Sequence, residues 1–125
     1  MTCFVDDFSR HIAVCFLKKK SDAPAALLKY IDGHSTPLHI DIRSIQSDGG
    51  GEFLGEFADI CRVNGIVQNF SAPDLQAQNS VAERTWGTLV SATLRMLEDA
   101  HLPAAYFEDA MLTAAWVKNR LYSTA

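Results

Sequence analysis

No stretch of this chain is long and apolar enough to span a bilayer. The amino terminus, MTCFVDDFSR, places acids where a secretion signal needs an apolar core, so no such signal is expected. Cysteine is scarce: Cys3, Cys15 and Cys61 are odd in number, widely spaced and form no zinc pattern, which argues for a reducing compartment. The four histidines (His11, His34, His39, His101) contain no HxxxH or HxH pair. The one glycine cluster is not followed by GxxxxGK, so it is not a phosphate loop. An excess of positive charge is also lacking. Eleven Lys and Arg stand against 15 Asp and Glu, for a net charge of −4. The chain as a whole offers nucleic acid no long-range attraction, which counts against a simple DNA-binding module. It leaves room for an enzyme that holds DNA locally through a few arginines or through separate basic domains.

What is present fits one folded domain over residues 1–125. The chain is 48% hydrophobic and long enough for a real core. Periodicity predicts strands near 2–5, 11–17, 39–46 and 66–70, and helices near 22–32, 52–64, 80–98 and 103–121. Ser21 or Asp22 can cap the first helix, Pro24 suits its first turn, and Gly33 is its expected stop. Ala25, Leu28 and Ile31 form its expected apolar face, with Leu27 beside it. Phe53, Phe57, Ile60 and Cys61 face inward in the next helix, which Gly65 ends. The third helix presents Ala82, Trp86, Leu89, Thr93 and Met96 or Leu97. The last presents Phe107, Met111, Ala114, Val117 and Leu121. This order gives an α/β or α+β layer with a hairpin at the front. Lys18, Lys19 and Lys20 are the most basic spot, read as a solvated strand end in preference to a phosphate contact.

Two acids stand out. Asp48 follows an alternating run and precedes three glycines, Gly49 to Gly51, which let backbone or ligand approach closely. Glu83 opens a long helical pattern. Each has a plain structural alternative. Asp48 can cap the helix that follows, and Ser80-Val81-Ala82-Glu83 is a complete capping box. Spacing alone favours the capping box. Metal enters because two divalent ions can activate the nucleophile and the leaving oxygen of a phosphodiester. Two carboxylates fall one short of the usual set.

Several short stretches, in this order, resemble the catalytic core of copia-type retrotransposon integrases of the RNase H-like superfamily. They are FVDDFSR (Phe4 to Arg10), LKKKS (Leu17 to Ser21), SDGGGEF (Ser47 to Phe53), NGI (Asn64 to Ile66), SAP (Ser71 to Pro73), QNSVAER (Gln78 to Arg84), LPAAYFEDA (Leu102 to Ala110), and Asn119 with Arg120. The resemblance implies an RNase H-like mixed sheet flanked by helices. It makes Asp48 the second and Glu83 the third acid of an Asp-Asp-Glu triad that holds Mg²⁺ or Mn²⁺. It further implies metal-dependent 3′-end processing and strand transfer of element DNA. Partners would be double-stranded DNA and other copies or segments of integrase, in the nucleus or a cytoplasmic particle of a eukaryotic host. The family's first acid lies on a central strand that precedes the hairpin, so a gap is expected between the hairpin and the Asp48 strand. The expected reading is a partial core with little activity alone. The alternative is a non-catalytic relic or nucleic-acid-associated structural domain.

Asp6 and Asp7 match the DDFSR segment and read as a hairpin cap held by Arg10. Arg84, Arg95, Gln78 and Asn79 are the candidates for DNA contact, together with the loop 71–78. The sequence departs from the family at Gly49, where Asn is usual, at Gln76, where Pro is usual, and at Ser80, where Gly is usual. Its aromatic pair is Tyr106-Phe107 in place of Phe-Trp.

Overall fold

A computed structural model describes residues 2–70 and 80–121, the side chain of Ser80 excepted. It is a mixed α/β structure that divides into two compact units. One is built chiefly from residues 17–80, the other from residues 3–16 and the chain from Val81 onward.

The second unit begins with a hairpin of β1 (Thr2–Val5) and β2 (Ile12–Cys15). Its turn is fixed by short polar side chains. The Asp6 carboxylate accepts from the Ser9 N–H at 2.7 Å and from the Ser9 hydroxyl, while Arg10 pairs with Asp7 at 2.7 Å. Arg10 adopts φ 62°, the left-handed conformation that closes the turn. The expected hairpin cap therefore forms, with Asp7 as the arginine's partner. Two helices complete the unit, α4 (Ser80–Asp99) and α5 (Phe107–Lys118). Ile12, Leu89, Ala114 and Ala115 form its core, with Cys3, Val14, Ala92 and Met96 packed around them. Thr93 is fully buried on α4 and donates its hydroxyl to the Leu89 carbonyl at 2.7 Å, so that hydroxyl is satisfied.

One side chain joins hairpin to helix end. The Asn119 carboxamide accepts from the Ile12 N–H at 2.8 Å and donates to the Ile12 carbonyl at 2.8 Å. Its nitrogen also lies 3.4 Å from His11 Nε2. Asn119 thereby satisfies both backbone groups of one β2 residue, as a neighbouring strand would.

The first unit holds α1 (Ala23–Tyr30), which runs on through a π-helical turn (Ile31–Ser35) into the single turn α2 (Thr36–Leu38). Gly33 thus does not stop the helix. Glycine permits a stop without requiring one, and the wider π turn carries the chain past it. Pro37 is the second residue of α2. The stop comes at His39, at φ 53°, with Ile40 N–H bonded to the Ser35 carbonyl at 3.0 Å. This extension displaces the start of the following strand. β3 covers only Ser44–Ser47, not 39–46, and pairs in parallel with β4 (Val67–Phe70) from Ser44↔Val67 to Ser47↔Phe70.

Helix α3 (Glu56–Val63) lies between these strands and packs on α1. Gly65 ends it as expected, at φ 68°, with the Ile66 N–H on the Cys61 carbonyl at 2.8 Å and the Gly65 N–H on the Arg62 carbonyl at 3.2 Å. Phe57 and Cys61 are buried, and Phe53 meets Phe57 edge-on at 5.2 Å.

The inward faces of two helices differ from expectation. On α1 the buried residues are Ala23, Pro24, Ala26 and Leu27, while Ala25 and Leu28 face solvent. On α5 they are Met111, Ala114 and Ala115, and Val117 and Leu121 are exposed. Both segments are apolar nearly all round, so periodicity could not choose the face. Among the described residues no ladder joins the hairpin to β3–β4; there are two two-stranded sheets.

Candidate functional site

Asp48 follows the last residue of β3 and stands at the carboxyl end of the parallel β3–β4 pair, where open α/β sheets place their ligands. Its side chain is exposed. One carboxylate oxygen accepts the Gly50 N–H at 3.0 Å, an Asx turn that fixes the side chain. The chain then forms a 3-10 turn, Gly51–Phe53, closed by the Phe53 N–H on the Gly50 carbonyl at 3.1 Å. Gln68 of β4 donates to the Phe53 carbonyl at 2.9 Å and ties this turn to the sheet. The helix-capping role considered for Asp48 is not the one formed: its bond to the Gly50 N–H closes an Asx turn, and neither Gly51–Phe53 nor α3 carries a side-chain cap.

The three glycines are not equivalent. Gly50 has φ −62° and ψ 142°, a conformation open to any residue. A Cβ there would lie 2.9 Å from Asp48 Oδ1 and 2.5 Å from Glu52 Oε2. At Gly49 and Gly51 a Cβ would meet nothing within 4 Å. The ends of two carboxylate side chains thus occupy the space beside Gly50, and a side chain there would displace them. Hard carboxylate oxygens brought together on a braced turn are the donor chemistry that Mg²⁺ accepts.

Glu83 and Arg84 are exposed residues near the start of α4, and Arg95 is exposed on the same helix. Arg84 and Arg95 are eleven residues apart, about three helical turns, so they share a face roughly 16 Å long. Asp48 belongs to the first unit and Glu83 to the second. Gln78, Asn79, the rest of the loop 71–78 and the Ser80 side chain of the capping box lie outside the described residues. Among the described residues, no group of three or more His, Cys, Asp or Glu is placed to hold a metal ion.

Sequence reasoning missed the surroundings of the Asp48 turn. The 3-10 turn Lys20–Asp22 packs against the turn Gly51–Phe53. Lys18, Lys19, Lys20, Glu52 and Phe53 line one cleft of about 250 Å³. The basic run was visible in the sequence; its place beside an acid thirty residues later was not.

No family model matches the chain. Among curated proteins, it is 32% identical over 118 residues to the "Retrovirus-related Pol polyprotein from transposon TNT 1-94" of Nicotiana tabacum, covering 94% of this chain and 9% of that protein. It is 29% identical over the same length to the corresponding polyprotein from transposon RE1 of Arabidopsis thaliana, of which it covers 8%. The chain thus spans under a tenth of the curated relatives it matches. Among solved structures, a chain of the simian T-cell lymphotropic virus intasome, in complex with PP2A regulatory subunit B56 gamma, superposes with a TM-score of 0.79 at 25% identity. That match covers 98% of this chain and 43% of the other. The HTLV-2 integrase catalytic core domain in complex with magnesium, in its dimeric form, superposes with a TM-score of 0.72 at 26% identity, covering 98% and 76%. By sequence the chain is homologous to one segment of the Pol polyproteins of copia-type transposons, and by fold it belongs with the RNase H-like catalytic cores of retroviral integrases.

Proposed function

We propose that residues 1–125 form part of an integrase catalytic core and that the parent polyprotein uses it to integrate element DNA. The reaction class is metal-dependent polynucleotidyl transfer, with 3′-end processing followed by strand transfer. The observation that carries this reading is the Asp48 turn. An exposed carboxylate stands at the carboxyl end of a parallel strand pair, with one oxygen held by the Gly50 N–H at 3.0 Å. It does so in a chain whose fold matches integrase cores.

Asp48 and Glu83 are the acids that the resemblance assigns to Mg²⁺ or Mn²⁺. When bound, such ions activate the attacking oxygen and stabilise the leaving one. The chain's own residues hold and orient. The Gly50 N–H fixes the Asp48 carboxylate, and Gln68 braces the turn from below. Arg84 and Arg95 offer cations to backbone phosphates from one face of α4. No serine, cysteine or lysine nucleophile with an adjacent base is needed for direct attack by water or a 3′-hydroxyl. With two candidate acids where three are usual, the chain alone is expected to carry little strand transfer.

The test is Mn²⁺ binding to the chain, followed by water-proton relaxation, beside a strand-transfer assay on matched element ends. Asp48→Asn and Glu83→Gln should each weaken Mn²⁺ binding, and both should abolish transfer by the parent protein. Mn²⁺ binding unchanged in both variants would overturn the reading.

A further inference from the structure

We propose that the cleft formed by Lys18, Lys19 and Lys20 beside the Asp48 turn is a docking site for the phosphodiester backbone of DNA. The inference rests on the proposed function, and names a substrate-binding surface for it. The lysine run closes β2's exit from the hairpin and enters the 3-10 turn Lys20–Asp22. That turn packs on Gly51–Phe53, the turn that begins three residues after Asp48. The three lysines are exposed, yet they line one cleft of about 250 Å³ with Leu17, Glu52 and Phe53.

A strand end held only by neighbouring acids would have its cations neutralised, and no such pairing is observed. Among the described residues, none of the three lysines is in a salt bridge; Arg10–Asp7 and Arg62–Asp59 are the pairs formed. Three unneutralised cations thus gather in a chain whose net charge is −4. Local concentration of charge is what a polyanion reads, because affinity comes from counterions released at each neutralised phosphate. The position matters as much as the charge. A phosphate held by Lys18 to Lys20 lies against the turn Gly51–Phe53, which begins three residues after Asp48, where the proposed chemistry takes place.

Glu52 sets a sign for the test. Glu52 is among the residues lining the same cleft, and its Oε2 stands beside Gly50. An anion there opposes an entering phosphate. Glu52→Gln should therefore tighten DNA binding while leaving the backbone in place, and replacing the lysines should loosen it.

The experiment is binding of a short fluorescent duplex to the 125-residue chain in EDTA, from 20 to 200 mM salt, with folding checked by circular dichroism. The triple variant Lys18→Ala, Lys19→Ala, Lys20→Ala should lower the slope of log affinity against log salt by about 0.9 per lost contact, roughly two to three in all. Glu52→Gln should raise affinity about two- to threefold at the lowest salt. Inorganic phosphate at millimolar concentration should fail to displace the duplex, separating a DNA backbone site from a free-phosphate site. An unchanged slope in the triple variant overturns the proposal, as does undetectable binding by the wild-type chain at 20 mM salt. Because EDTA removes the metal, failure here is distinct from failure of the Asp48 reading, which Mn²⁺ binding decides separately.

Discussion

Removing the Asn119 carboxamide isolates one contact whose loss the structure allows to be sized. Asn119→Ala deletes two hydrogen bonds of 2.8 Å and leaves the N–H and carbonyl of Ile12 without their partner. Ile12 is 2% exposed, so water reaches those groups poorly. The two bonds together contribute about 1–3 kcal/mol net, and stranding buried groups puts the loss toward the upper end, about 2–3 kcal/mol. Asn119→Asp sharpens the test. The carboxylate still accepts from the Ile12 N–H, but it faces the Ile12 carbonyl with lone pairs instead of a donor. Protonation restores that donor, so the folded state favours the neutral acid and raises its pKa above the unfolded value. The variant should be destabilised at pH 7 and recover as pH falls through that raised pKa. Both tryptophans, Trp86 and Trp116, lie in the same unit as Asn119, so their fluorescence in urea reports the relevant transition. With a slope of about 1 kcal/mol/M, the alanine variant should unfold about 2 M earlier. A shift equivalent to less than about 0.5 kcal/mol, the usual range of neutral surface changes, would show that Asn119 does not clamp β2.

Other expectations follow from the same coordinates. Gly50→Ala should weaken Mn²⁺ binding severalfold while Gly49→Ala and Gly51→Ala leave it unchanged; equal effects at all three would remove the argument from shared space. The two hydrogen bonds from Ser9, through its hydroxyl and then its N–H, hold the Asp6 carboxyl below 3.8. The turn's contribution should therefore be complete above about pH 4 and lost as pH falls through the lower folded value, and carbon NMR titration of Asp6 with a midpoint at or above 3.8 would refute this. Burial, and then the nearby Cys15 thiol, pushes Cys3 up to about 11, so native Cys3 should resist alkylation at pH 8; rapid labelling there, mapped by mass spectrometry, would contradict the packing.

The legible parts of the chain were those with local causes. Gly65 ends α3 because the left-handed position favours glycine, and the Asp6–Arg10 turn forms from side chains within four residues. The fold class was legible through short motifs. The inward faces of α1 and α5 were not, because a nearly all-apolar helix leaves the choice to tertiary packing. His39 also escaped: its left-handed stop depends on the π turn before it, and no residue there marks one. Contacts such as Asn119 with Ile12, or the lysine run with the Asp48 turn, join distant residues and leave no local periodicity to read.

Glu52 places its Oε2 beside Gly50 and is also one of the residues lining the lysine cleft. A single flexible carboxylate in that position links the two proposed ligands through one thermodynamic cycle. If a cation beside Asp48 draws Glu52 toward itself, the lysines lose their opposing charge, and DNA binds more tightly. The cycle must close, so DNA in the cleft then tightens the cation by the same factor. Glu52→Gln, which leaves no charge to share, should uncouple the two.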